Sequence, residues 1–341
     1  MTWQDPVPFL RGTAWLDTRG RALRADPADL GRLPWETAQR AALPIGVRLE
    51  FTVSPGTRAV EIRYRAAVPD SSQELRDVAH CFALWEGDTC LRETIPDPAE
   101  ETKVTIPLPP DGRTGPFTVH PPESQAPEIL GVRAVDGTLS PAAPRPRWLV
   151  HGDSITEGWW STRPAHAWPA VAGRALGVDA VNLGYAGSAR GELSIAQQLA
   201  RLPADLLTLA FGTNCWSGVP HSAPLLYETT RAFISLVRQG HPDTPLLLLS
   251  PLLRPEAEST ANALGATLAE LRTAMEEAVR DLAADGDGRL DLLPGRDLIG
   301  PGQLADGLHP DDAGHARVAE AVAVALRQAA AAAGGRALTG T

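Results

Sequence analysis

The sequence predicts an α/β protein in two parts. An antiparallel β-sandwich of jelly-roll type is expected over residues 1–145, followed over residues 146–341 by a three-layer α/β/α domain on a parallel sheet. Three observations carry this expectation. The first 140 residues contain short runs in which apolar and polar residues alternate. A Pro-rich break then interrupts that rhythm. After it, short apolar strands alternate with long segments of helical spacing.

In the first part, Val47, Leu49, Phe51 and Val53 alternate with Arg48, Glu50 and Thr52, and Val60, Ile62 and Tyr64 alternate with Glu61, Arg63 and Arg65. A period of two places one set of side chains on a buried face and the other toward solvent, as in half-buried antiparallel strands. Similar runs lie near Phe9–Leu16, Cys81–Trp85, Val104–Leu108, Phe117–His120 and Ile129–Val135, separated by Pro and Gly clusters, with one helical segment near Pro27–Ala41. This spacing of short strands suits a sandwich. From Asp136 to Arg147 three prolines and a glycine interrupt the pattern, which makes this stretch the linker and places the boundary near residue 145.

Beyond it, strands are expected at Trp148–His151, Ala180–Leu183, Leu206–Phe211, Leu246–Ser250 and Leu290–Leu293. Helices are expected at Ala167–Leu176, Pro224–Gln239, Thr260–Ala284 and from Asp311 to about Ala332, with a fraying Ala/Gly-rich tail from Ala329 to Thr341. Alternating strands and helices build a parallel sheet covered on both faces, and such sheets bind ligands at the carboxyl ends of their strands.

Composition excludes several partners. The chain is 43% hydrophobic and 21% charged, with a net charge of −10, which fits a globular fold and disfavours nucleic acid or anionic membrane surfaces. Lys103 is the sole lysine, so no other lysine can form a Schiff base or a phosphate-loop contact. Cys81, Cys90 and Cys215 form no Cys-x-x-Cys pair, so no zinc site is expected; Cys81 and Cys90 read as reduced thiols, with a pairing across neighbouring strands as the alternative. No metal and no cofactor are expected. The N-terminus lacks the basic start and apolar core of a signal peptide, and no run nears the roughly 18 apolar residues of a membrane span, so the default expectation is the cytoplasm, with secretion the alternative should a leader have been trimmed.

Four short motifs fall at the predicted strand ends, and together they supply the groups that serine-based acyl chemistry needs. Gly152-Asp153-Ser154 offers a hydroxyl after a tight turn. A serine hydroxyl is a poor nucleophile without a base and without donors for the developing oxyanion. In Asp306-Gly307-Leu308-His309-Pro310, His309 is a base suited to neutral pH, and a carboxylate three residues earlier can bond its Nδ1. The loop Asn182–Gly187 and the turn Gly212-Thr213-Asn214 supply a glycine N–H and a side-chain amide. Each motif alone also fits a bland role: Asp-Ser as a helix cap, Asn214 and Gly187 as turn residues. A metal reading would add His315 to Asp306 and His309, without a usual ligand spacing. Cys215 is read as a packing residue.

These four blocks, with Trp168-Pro169 on the first helix, resemble the SGNH hydrolase superfamily, also called GDSL esterases and lipases, over residues 147–330. The resemblance implies a flavodoxin-like fold in which Ser154 is the nucleophile, His309 the base and Asp306 its orienting carboxylate. It implies an oxyanion hole made of the N–H groups of Ser154 and Gly187 and the side chain of Asn214, with Gly184 ranked second to Gly187. The chain departs from the family at Cys215, where an Asp commonly follows the block-three Asn. A sandwich ahead of such a domain is similar to carbohydrate esterases of the second family, an analogy at the level of fold.

The resulting expectation is a serine esterase that acts, without a cofactor, on short acyl esters, acetyl first, of a sugar or other polyhydroxy small molecule. Trp159, Trp160 and Trp216 are candidates for the walls of its pocket. Acyl transfer to another acceptor, a lipase-like esterase and a carbohydrate-binding protein with a vestigial site are the alternatives. The partner is a small-molecule or glycan ester, with the oligomeric state left open.

Overall fold

The structure, a computed structural model, describes residues 2–66, 81–96 and 101–333; strands, pairs and contacts are counted among these.

The N-terminal part is a sandwich of two antiparallel sheets. One runs, edge to edge, through Leu10–Arg11, Arg48–Val53, Phe117–His120, Phe82–Glu86 and Thr89–Thr94, with Leu139–Pro141 also paired to Arg48–Val53. The other is Glu128–Val135, Ala59–Arg65 and Glu101–Pro107. The alternating residues of the sequence meet between them: Leu49, Phe51, Val60, Ile62, Tyr64, Phe82, Leu84, Ile106, Phe117 and Val119 share one buried core. Thr89–Thr94 is an edge strand whose residues are largely exposed, so it carries no alternation to read. Leu139–Pro141 lies inside the expected linker, because its pairing with Phe51–Val53 is a long-range contact. The expected strand at Phe9–Leu16 is two short pieces, Leu10–Arg11 and Trp15–Leu16, broken at Gly12 (φ +74°).

The C-terminal part carries a five-stranded parallel sheet. In chain order its strands are Arg147–Gly152, Asp179–Gly184, Leu206–Ala210, Leu246–Leu249 and Leu290–Leu293, and in space they lie second, first, third, fourth, fifth. This is the doubly wound, flavodoxin-like order, and its switch point falls beside the first strand. Trp168–Leu176 and Asp312–Ala332 cover one face; Leu193–Leu199, Ala223–Arg238 and Leu268–Ala284 cover the other. Ala223–Arg238 buries Leu226, Thr230, Phe233, Ile234 and Val237, the single stripe expected of an amphipathic helix. The helix expected from Thr260 begins only at Leu268, because Asn262 and Gly265 (φ +80°) form a turn and Thr267 with Glu270 makes a capping box. Leu193–Leu199 is too short for a periodicity signal. The closing helix runs to Ala332 with Ala329 and Ala330 buried, so packing on the sheet holds the first part of the expected fraying tail; residues 334–341 lie outside the described residues.

The two parts meet over a polar seam. Arg48 Nη2 is 2.9 Å from Asp179 Oδ1, and its Nε is 2.7 Å from Glu50 Oε1. Part of the N-terminal half belongs to the other core. The segment expected to be helical from Pro27 is a 3-10 turn at Leu30–Arg32 followed, after Pro34, by an α-helix over Trp35–Ala41. Ala25 and Leu33 before the helix and Ala41 at its end are buried with Leu149, Val181, Leu183 and Tyr185 of the parallel-sheet layer. Cys81 is buried and Cys90 exposed, and no disulfide joins them. No helix among the described residues is long and apolar enough to cross a membrane.

Candidate active site

Parallel register aligns the strand ends. Gly152 lies opposite both Gly184 and Ala210, so the loops that follow all leave the same edge of the sheet. Close approach demands the glycines here. A Cβ on Gly152 would strike Thr156 Oγ1 and the Ala210 carbonyl, and one on Gly184 would strike the Glu157 backbone. Asp153 caps the short helix Ser154–Glu157, its Oδ1 accepting the Ile155 N–H at 3.0 Å. Ser154, the first helical residue, is thus held in a capped turn and is itself buried.

His309 arrives from the long loop after the fifth strand. Its Nε2 is 2.8 Å from Ser154 Oγ, and its Nδ1 is 2.7 Å from Asp306 Oδ2. Asp306 is held in place by its other oxygen: Oδ1 accepts the backbone N–H of Leu308 at 3.0 Å and of His309 at 2.8 Å. Burial acts to raise the Asp306 carboxyl, but the backbone N–H and ring of His309 outweigh it and hold the group below its usual range. It is thus ionised at neutral pH and can stabilise an imidazolium on His309.

The three expected oxyanion donors differ in what they are bonded to. The N–H groups of Ser154 and Gly187 donate to nothing else among the described residues. Gly187 has φ +74° and open space where a Cβ would stand. Gly184, the second-ranked alternative, has its N–H committed to Asn182 Oδ1 at 2.9 Å; its glycine serves close packing. Asn214 Nδ2 donates one hydrogen to Ser188 O at 2.6 Å, which orients the amide; its NH₂ carries a second hydrogen.

The tryptophans have distinct places. Trp159 stacks on the His309 ring at 5.5 Å and 27°. Trp160 donates its indole N–H to Asp306 Oδ2 at 2.9 Å and has φ +66°, a left-handed conformation that costs a non-glycine residue about 1 kcal/mol or more. Trp216 lies under the Arg254 guanidinium at 4.6 Å and bonds Thr260 O at 2.8 Å. Two of the three expected pocket residues therefore brace the Ser154–His309–Asp306 chain itself, a role that sequence reasoning missed.

Other titratable groups nearby are committed elsewhere. His315 accepts the Trp168 N–H at 3.3 Å and bonds Trp159 O at 3.0 Å, which commits both ring nitrogens. Burial pushes the Cys215 thiol well up, and its Sγ sits 3.8 Å from Arg190 O, as suits a packing residue. His151 is buried against Phe233, and burial lowers it to about 4. Among the described residues no group of three or more His, Cys, Asp or Glu could hold a metal ion.

Residues 150–317 match the family model of the GDSL-like Lipase/Acylhydrolase family. No curated protein matches the chain. Among solved structures, a salicylyl-acyltransferase, SsfX3, from a tetracycline biosynthetic pathway is similar with a TM-score of 0.80 and 24% identity, over 96% of this chain and 95% of that one. A structure described as a GDSL-like lipase from Bacteroides ovatus gives 0.78 and 20% identity, over 96% and 97% of the two chains. A family two carbohydrate esterase from Clostridium thermocellum, in complex with cellohexaose, gives 0.64 and 15% identity, over 84% and 92%. At these identities the likeness is one of fold, and it includes the preceding sandwich. Residues 150–317 form a GDSL-like lipase/acylhydrolase domain, set on a flavodoxin-like parallel sheet and preceded by a β-sandwich.

Proposed function

We propose that this protein is a serine esterase that hydrolyses short-chain acyl esters, acetyl esters first, of a sugar or other polyhydroxy small molecule. The observation that carries this reading is the unbroken chain from Ser154 Oγ through the His309 ring to Asp306, at 2.8 and 2.7 Å. Ser154 Oγ attacks the ester carbonyl as His309 Nε2 takes its proton. The N–H groups of Ser154 and Gly187 and the Asn214 amide hold the tetrahedral oxyanion, each donor contributing on the order of 3 kcal/mol in the transition state. His309 then protonates the leaving alcohol, and water activated by the same ring releases the acid from the acyl-enzyme. The shared two-domain fold with family two carbohydrate esterases supports a polyhydroxy acceptor. No cofactor takes part in this scheme.

A second reading is acyl transfer with the same residues, in which an acceptor alcohol replaces water. It is favoured by the likeness to the salicylyl-acyltransferase over nearly the whole chain.

Hydrolysis of p-nitrophenyl esters from C2 to C12, wild type beside Ser154→Ala, tests both. Activity confined to short esters and abolished in Ser154→Ala is expected. A preference for long chains would replace the deacetylase reading with a lipase-like one, and activity surviving in Ser154→Ala would refute the mechanism. Transesterification that outruns hydrolysis when an acceptor alcohol is added would favour acyl transfer.

A further inference from the structure

The oxyanion loop is gripped by residues from the other end of the chain. Glu157 lies three residues after Ser154 and is completely buried. A buried carboxylate is costly unless it is paired and fully hydrogen-bonded. Here two guanidinium groups from the N-terminal half supply the pairing. Arg40 Nη2 bonds Glu157 Oε1, and Arg40 Nε is 3.3 Å from Oε2. Arg24 Nη2 stands 3.7 Å from Oε2. The same Oε2 accepts the Ala186 N–H at 2.8 Å. One carboxylate thus ties the helix that carries the nucleophile to the residue just before Gly187.

The grip continues along the loop. Arg24 Nη1 donates to the Gly184 carbonyl, and Tyr185 Oη donates to the Arg24 carbonyl. Thr37 Oγ1 donates to Ser188 Oγ at 2.9 Å, on the residue whose carbonyl orients Asn214. Glu36 holds Arg190, whose Nη1 donates to Gly187 O at 2.5 Å. The Arg40 guanidinium also lies over Trp159 at 5.7 Å, and Trp159 stacks on His309. The Ser154–Glu157 helix and the loop from Gly184 to Arg190 are therefore each bonded directly to residues 24–40, and Asn214 reaches them through Ser188.

We propose that Arg40 and Arg24, acting through Glu157, are positioning residues of the oxyanion hole: they set where the Gly187 N–H and the Asn214 amide stand relative to Ser154. The proposal rests on the serine-esterase reading above. It makes the N-terminal half part of the catalytic apparatus rather than an appended module. Its physical basis is that donors work only when fixed at hydrogen-bond distance from the oxyanion, so that a misplacement of about 1 Å costs about 10²-fold in rate.

The test uses the full chain and follows phosphonylation of Ser154 by a fluorophosphonate, read by intact mass, so that no knowledge of the natural ester is needed. In that reaction the Ser154 Oγ–P bond forms, fluoride leaves, and His309 takes the serine proton. Arg40→Ala is expected to slow labelling ten- to hundred-fold, with Arg40→Lys, which keeps the charge but not the two-pronged contact, intermediate. The decisive measurement is the double-mutant cycle with Asn214→Ala. If Arg40 acts through the hole, the two losses are far less than multiplicative; losses that multiply, or an Arg40→Ala rate within two-fold of wild type, overturn the proposal. Should Arg40→Ala not fold, Arg40→Lys and Thr37→Val enter the same cycle under the same criterion. Labelling that persists in Ser154→Ala, or is absent from wild type, overturns the esterase reading and this inference together; Ser154-dependent labelling with multiplicative losses overturns the inference alone.

Discussion

Replacing Asp306 by Asn separates orientation from bulk. Asp306 Oδ1 accepts two backbone N–H groups, at 3.0 and 2.8 Å. In Asp306→Asn the amide oxygen must stay in that place, because an amide nitrogen there would face two donors. The NH₂ group then takes the position of Oδ2, 2.7 Å from His309 Nδ1 and 2.9 Å from Trp160 Nε1. It can only donate, so Nδ1 becomes an acceptor and the ring proton moves to Nε2, where it faces Ser154 Oγ. A base that already carries its proton on the reacting nitrogen cannot take another from the serine. Restoring the productive tautomer costs the Nδ1 hydrogen bond and opposes two donors, about 2–3 kcal/mol. Losing the carboxylate beside the imidazolium removes a charge-assisted bond of about 2–3 kcal/mol more. The sum of about 4–6 kcal/mol corresponds to a fall in kcat on the order of 10³–10⁴-fold at about 1.4 kcal/mol per decade. The residue keeps its size and both backbone bonds, so the Tm should move by only a few degrees. Steady-state hydrolysis of p-nitrophenyl acetate and a thermal melt read the two effects separately. An Asp306→Asn enzyme within ten-fold of the wild-type kcat would refute the assignment of Asp306 as the group that sets the histidine tautomer.

Further expectations concern single groups. On the proposed mechanism, Asn214→Ala should lower kcat about 10²–10³-fold with little change in KM, and an unchanged kcat would remove Asn214 from the hole. Burial lifts the Asp153 carboxyl to about 7. The native state therefore keeps a proton that the unfolded chain loses near pH 4, and stability falls as pH rises from about 4 to about 7, by on the order of 4 kcal/mol. Asp153→Asn should flatten that slope in urea unfolding between pH 5 and 8; an identical slope in both proteins would contradict the shift. Trp148 Nε1 donates to Thr208 Oγ1 at 3.0 Å inside the sheet core, so the isosteric Thr208→Val should destabilise by about 1–3 kcal/mol, and a neutral melt would show that the indole finds another acceptor.

The sequence by itself determined the features that one strand, one turn or one loop can encode. The strands of the parallel sheet were legible because each is a short apolar run between turn residues. The pairing of Asp306 with His309 was legible because three residues of one loop can bring a carboxylate to Nδ1. The order of the four strand-end motifs pointed to a common edge, since parallel strands with helical crossovers must present the same ends together. Tertiary structure decided whatever depends on which distant groups meet. It occupied the Gly184 N–H with Asn182 Oδ1, a bond that no sequence pattern records. It turned Trp159 and Trp160 toward the triad. It extended the sandwich through Leu139–Pro141 and carried residues 25–41 into the core of the other layer. It also joined Arg24 and Arg40 to Glu157, more than a hundred residues apart in the chain. The physical reason is common to all of these. Periodicity records which face of an element is buried, whereas the partner of a buried charge, and the loop it holds in place, are set by packing between elements that share no local pattern.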